Sequence, residues 1–236
     1  MNIDVSNFAS DSESDTEQPD ENIASLCFHN PFTCIIAGPL QSGKTWLTSR
    51  ILENANWLYS HKPNQFFYFY NKRKPDKPFL KKNCVMLEGV PDMAWLEKMH
   101  SKYGDNVTVV IDDQAMHMGD SQTELFTVGC SRFKANIIFI TQNLFNPRKG
   151  STTLTKNSIY SFLMKNPKEK GTYQNFFRTQ PENTADLMAY AKEACASPFS
   201  YMFIDSHQKT DPDMRHMYNL FGENPKLRFP KVARFT

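Results

Sequence analysis

The chain has 236 residues, enough for one sizeable core and short for two full domains. Its 40% hydrophobic and 22% charged composition is that of a globular protein, and no apolar run approaches the ~18–20 residues needed to cross a bilayer. The net charge of +2 hides an asymmetry: seven of the 25 acids lie in residues 1–22, which hold no base, so the rest carries 27 bases against 18 acids.

That first stretch is Ser-rich and poor in large apolar groups. It cannot bury enough surface to offset ordering entropy, so it is expected to be a disordered acidic tail. It lacks the basic start and apolar centre of a secretion signal. Five cysteines (27, 34, 84, 130 and 195) are scattered, with no C-x-x-C pair, which argues against a zinc site or disulfide framework and for a reducing intracellular setting. Cys34, Cys84 and Cys195 sit in or beside apolar segments and read as small buried hydrophobes. The basic body suits a polyanionic partner, although a solvated basic surface has the same composition.

From about Ile23 onwards, strands and helices alternate. Phe32–Ala37 reads as a buried strand. It runs into GPLQSGKT, which matches G-x-x-x-x-G-K-[ST] at Gly38, Gly43, Lys44 and Thr45. The glycines let backbone N–H groups curl around phosphates, and Lys44 reaches the β- and γ-phosphates. The Thr45 hydroxyl ligates magnesium, and the next helix directs its positive end at the anion. The nucleotide-binding stretch is therefore Gly38, Pro39, Leu40, Gln41, Ser42, Gly43, Lys44, Thr45 and Trp46.

Apolar residues at Trp46, Leu47, Ile51, Leu52 and Ala55 predict a helix over Thr45–Tyr59. Gln65–Tyr70 (QFFYFY) reads as a strand, Lys72–Lys82 as a basic, proline-punctuated loop, Cys84–Leu87 as a short strand and Pro91–Tyr103 as a helix.

Val107–Ile111 (VTVVI) is a buried strand that ends in Asp112-Asp113. Asp112, at the C-terminal edge of a sheet beside the phosphate loop, suits magnesium, and Asp113 is the candidate base for the attacking water. Two aspartates there would also suit a turn or a helix cap. A helix is expected over Ser121–Phe133. Arg132 within it is a candidate cation for the transferring phosphoryl group, an arginine finger if a neighbouring subunit supplies it, with Arg148 and Lys149 as competitors. Asn136–Thr141 (NIIFIT) is another buried strand. Gln142 follows it and should emerge at the same edge, where an amide can sense the γ-phosphate or position water.

Ile159–Met164 reads as a strand, Glu169–Arg178 and Asn183–Ala196 as helices, and Phe199–Asp205 as a last strand. Near-continuous apolar strands separated by helices imply an α/β fold with a mostly parallel sheet covered on both faces. The expected organisation is a tail over 1–22, a motor domain over 23–222 and an extension over 223–236. No guanine-reading Asn-Lys-x-Asp pattern is present, which argues against a GTPase.

GPLQSGKTWLTSRIL, VVIDDQ and above all SRFKANIIFITQNLF resemble the genome-packaging ATPases of Maverick/Polinton-type elements, adintoviruses and virophages. These are relatives of the poxvirus packaging ATPase in the FtsK/HerA branch of P-loop motors. The likeness continues through SFLMKNPKEK and PFSYMFIDSHQKTDPDMRHMYNLF, about residues 30–222. It implies a RecA/FtsK-like P-loop core with ATP and Mg2+ as substrate and cofactor. Lys44 and Thr45 would bind nucleotide and metal, and Asp112 would hold the metal. Asp113 would be the base, Gln142 the sensor and Arg132 the arginine of the family's S-R-H-K pattern. Phe133 stands where the family usually has His.

The resemblance further implies a homo-oligomeric ring, a hexamer or pentamer. Such a ring pumps double-stranded DNA, without reading its sequence, into a preformed capsid through a capsid or vertex protein, in the host cell where virions assemble. Candidate DNA-facing residues are Arg148 and Lys149 in NPRKGSTT, and Lys72, Arg73 and Lys74. The chain reads as a bare motor core. A helicase or conjugation-type pump on the same fold, and a slow nucleotide-switched adaptor, are the alternatives.

Overall fold

In the computed structural model, residues 27–112, 123–144, 151–167 and 170–221 are described. Asp113, Arg148, Lys149, the acidic stretch 1–22 and the extension 223–236 lie outside the described residues.

Among the described residues, eight strands form one sheet: β1 (Thr33–Ala37), β2 (Gln65–Tyr70), β3 (Cys84–Glu88), β4 (Val107–Asp112), β5 (Asn136–Thr141), β6 (Tyr160–Met164), β7 (Tyr201–Asp205) and β8 (His216–Tyr218). Their spatial order is β3-β2-β4-β5-β1-β6-β7-β8. The first six pair in parallel, and β7 and β8 add antiparallel strands at one edge. The expectation of a mostly parallel α/β sheet holds.

The apolar runs follow from coverage on both faces. Side chains alternate along each strand, so β1 sends Ile35 and Ala37 to one face and Cys34 and Ile36 to the other. On the first face Ile35 packs in a core with Leu96 of α4 (Met93–Tyr103), Phe177 of α7 (Lys170–Phe177) and Leu187 of α8 (Thr184–Ala194). On the second, Cys34 and Ile36 share a core with Leu47 and Ile51 of α1 (Lys44–Glu53). Each large aliphatic side chain buried this way contributes about 1.5–3 kcal/mol. A polar residue in the middle of β1 or β5 would lose that contribution on a face with no water.

Several boundaries differ from expectation, each for a local reason. The helix predicted over Thr45–Tyr59 is two pieces, α1 and the single turn α2 (Ala55–Leu58). Asn54 breaks it: its amide donates to Arg50 O (2.7 Å) and its Oδ1 accepts from the Trp57 indole (2.9 Å). An asparagine that offers the backbone other partners ends helices readily. The expected loop 72–82 contains a helix, α3 (Pro78–Asn83), with its proline in the first turn, where no N–H is needed. Helix α4 starts at Met93 because Asp92 caps it, accepting from Trp95 N at 2.8 Å.

The helical stretch before β5 runs through a π-turn at Leu125–Gly129 into one turn, α5 (Cys130–Arg132). Gly129 allows close approach to α4, since a Cβ there would lie 3.0 Å from Leu96 Cδ2. The helix α6 (Ser151–Lys156) precedes β6. The last long strand begins at Tyr201 rather than Phe199, because Phe199 has φ 60°. The three-residue edge strand β8 was not anticipated; it is too short to carry a periodic signal. All five cysteines are free thiols; Cys130 is buried as well, whereas Cys195 is only half-buried.

Candidate functional site

The phosphate loop hangs between two strands. Gly38 N donates to Thr141 O at 3.2 Å, tying the loop's start to the end of β5. On the other side a Cβ at Gly38 would lie 2.5 Å from Met164 Cβ of β6, so only glycine fits. Ser42 N donates to Pro39 O at 3.3 Å, which closes a turn within the loop. Gly43 has φ 97°, the left-handed conformation from which α1 departs. Helix α1 has no side-chain cap and no acid in its first turn. Its leading N–H groups and positive dipole end therefore face the cleft as an anion site. The Lys44 ammonium folds back over the loop and donates to Gly38 O and Pro39 O, each at 2.7 Å.

Asp112 and Gln142 emerge at the same edge. Asp112 shares one cleft with the loop, as expected, and the end of β5 is inserted between the two strands, with Ile36 opposite Ile140 and Ile140 opposite Asp112. Gln142, one residue past β5, is therefore flanked by the loop on one side and Asp112 on the other. The three parts meet in a cleft of about 410 Å³. Leu40, Gln41, Ser42, Gly43, Lys44, Thr45 and Trp46 form the loop side, and Asp112, Gln142 and Ile140 the strand side. Of the remaining loop glycine and proline, Gly38 sets the approach to β6 and Pro39 faces the adjoining groove.

Tyr68 was missed. It is fully buried in β2, and its hydroxyl donates to Asp112 Oδ2 at 2.5 Å. The Thr45 side chain is near enough to act on the same hydroxyl. Burial, then the Asp112 charge, pushes the phenol well above its ordinary range, so it stays a proton donor. The signal in QFFYFY was a hydroxyl two residues before the strand's end, on the same face as the strand neighbours that carry the site. That signal has no meaning until β2 is known to pair with β4.

The loop after β2 also behaves differently from expectation. Arg73, assigned to DNA, lines the nucleotide cleft together with Asn71 and Lys77. Lys72 and Lys74 are exposed and do not line it. Lys72 has φ 51°, and Arg73 N donates to Asn71 O, a tight turn that brings this cationic loop back over the strand ends.

Arg132 lies at the other edge of the sheet. It precedes β5, and its neighbourhood is tied to the start of β4 through Asn106 N donating to Lys134 O at 3.0 Å. A six-residue strand spans roughly 20 Å, so Arg132 does not reach the cleft of its own chain. Its guanidinium sits 5.2 Å from the Phe133 ring centroid. Phe133 is buried and packs near the His100 ring.

The donor set suits a hard divalent cation. A threonine hydroxyl and a carboxylate in one cleft, the carboxylate held by a buried phenol, are oxygen ligands of the kind magnesium takes when phosphates complete its shell. Tyr68 orients that carboxylate, and such supporting partners typically contribute about 10–100-fold to metal affinity or activity. Tyr68→Phe is therefore expected to raise the Mg2+ concentration for half-maximal turnover about tenfold. A Mg2+ titration checks this, and an unchanged midpoint would assign Tyr68 to packing alone.

The fold has solved counterparts. The genome packaging NTPase B204 of Sulfolobus turreted icosahedral virus 2, in complex with ATP-gammaS, aligns with TM-score 0.55 and 13% identity over 76% of this chain and 95% of that one. B204, the DNA-packaging ATPase of Sulfolobus turreted icosahedral virus, aligns with TM-score 0.55 and 12% identity over 78% and 96%. At such identities the likeness is one of fold: the chain has a P-loop NTPase fold. No family model matches the chain, and no curated protein matches it.

Proposed function

We propose that this chain is an ATP-driven double-stranded DNA translocase that packages a viral genome into a preformed capsid. The observation that carries the reading is the convergence of the phosphate loop, Gln142 and Asp112 on one cleft, with β5 inserted between the loop strand and the acidic strand. The fold likeness to packaging NTPases supports it.

The residues divide the work. The α1 N–H groups and Lys44 hold the phosphates, and Lys44 exchanges the loop carbonyls for β- and γ-phosphate oxygens. Thr45 and Asp112 would hold Mg2+, which when bound spreads the phosphates' negative charge. Asp113, next in sequence to Asp112, takes the proton of the attacking water. Gln142, between loop and acid, orients that water or senses whether the γ-phosphate is present. Arg73 supplies a further cation from the same chain. Arg132, at the opposite edge, acts on a neighbour's nucleotide as an arginine finger, which requires an adjacent subunit and is met by a homo-oligomeric ring, a hexamer or pentamer. Lys72 and Lys74, with Arg148 and Lys149, track DNA phosphates in the ring's channel without reading bases. The ring docks on a capsid or vertex protein in the host cell.

Steady-state ATP hydrolysis with and without long duplex DNA, for wild type and Asp113→Asn, tests the reading. The expected result is DNA-stimulated turnover that the substitution abolishes. Turnover that ignores DNA, with no DNA binding at low salt, would leave a nucleotide switch instead.

A further inference from the structure

A second groove, about 460 Å³, adjoins the phosphate loop on the side of β6. Leu40 and Gln41 line it from the loop, Lys165 and Asn166 from just past β6, and Pro198 and Phe199 from just before β7. Phe199 is unusual on three counts. It is 64% exposed, whereas most aromatic rings among the described residues are buried. Its φ of 60° is a conformation that bulky side chains rarely adopt. Its ring abuts the loop, with Cδ1 3.4 Å from where a Cβ on Gly43 would lie.

The turn that carries it is braced. Lys165 N donates to Ser200 O at 2.9 Å, and the Lys165 ammonium donates to Ala196 O at 2.5 Å. Ser200 Oγ donates to Ser197 O at 2.5 Å. The exposed ring is thus held in place beside the loop, on a backbone that pays a conformational cost to put it there.

The direction of the nucleotide follows from the strand order. Asp112 and Gln142 lie on the β5 side of β1, so the terminal phosphate faces that side. The nucleoside then leaves the loop over β6 and β7, where the groove opens. We propose that Phe199 is the stacking platform for the base of the bound nucleotide, with exposed Leu40 as a second apolar contact. The proposal rests on the reading of the loop as a nucleoside triphosphate site. A flat apolar ring suits this role, because every base has a π-face to lay on it.

Calorimetric titration of the full chain without DNA tests it, using two probes: a non-hydrolysable ATP analogue and inorganic tripolyphosphate, which lacks a base. Phe199→Ala is expected to weaken the analogue about tenfold, the order of one base–aromatic stack. Tripolyphosphate affinity is expected to stay the same. Phe199→Trp should keep analogue affinity and, after subtraction of the wild-type emission from Trp46, Trp57 and Trp95, show an added indole signal that the analogue quenches and tripolyphosphate does not.

Equal losses for both probes, or no loss for either, would overturn the platform. So would an altered oligomeric state of Phe199→Ala with unchanged analogue affinity, which would make the groove a subunit contact. Failure of wild type to bind either probe would remove the nucleotide site itself and the platform with it. Failure of DNA to stimulate turnover touches only the translocase reading, since these titrations contain no DNA.

Discussion

Lys44→Ala is expected to lower ATP turnover by about 10²–10³, the usual loss when a preorganised charge donor at a reacting group is removed. The ammonium is already aimed at the loop: it donates to Gly38 O and Pro39 O at 2.7 Å, at the mouth of the α1 dipole. Phosphate oxygens replace those carbonyls without a large movement of the side chain, so little reorganisation opposes the exchange. The fold should tolerate the change, because Lys44 is only partly buried and belongs to a loop whose Leu40 and Gln41 are exposed. Steady-state turnover paired with a thermal melt separates the outcomes. Near-normal turnover at an unchanged melting temperature would remove the loop from the chemistry.

Asp112→Asn is expected to abolish Mg2+-dependent turnover, by at least about 100-fold, while the protein still folds. The amide is isosteric, and its oxygen can still accept from Tyr68, whose hydroxyl lies 2.5 Å from Asp112 Oδ2. What is lost is the negative charge that a hard dication requires. Nucleotide affinity measured with EDTA should be nearly unchanged, because the loop amides and Lys44 make the phosphate contacts. Affinity that collapses without metal would indicate that Asp112 shapes the loop itself. Turnover that persists with Mg2+ would move the metal ligand elsewhere.

Both predictions rest on residues legible in the sequence, for a shared reason. The phosphate loop is eight consecutive residues whose function lies in their own backbone, so its chemistry is local. The buried strands are legible too, since continuous apolar runs such as VTVVI and NIIFIT require coverage on both faces. A residue that follows such a run must emerge at the strand's end, which placed Asp112 and Gln142 at one edge.

What depended on strand order was not legible. Tyr68 and Asp112 are 44 positions apart and meet only because β2 pairs with β4. Arg73 reads as one cation in a basic run, and only the turn after β2 brings it to the cleft. Arg132 lies close in sequence to Gln142, yet a strand's length separates them, because one precedes β5 and the other follows it. Phe199 reads as the start of a strand, and its positive φ turns it out against the loop instead. The sequence by itself determined the covered parallel sheet, the phosphate loop and the two polar strand ends, since each is written in contiguous residues. The tertiary structure alone decided which side chains from distant segments share the cleft and which edge each cation occupies, because those contacts follow from the order in which strands pair.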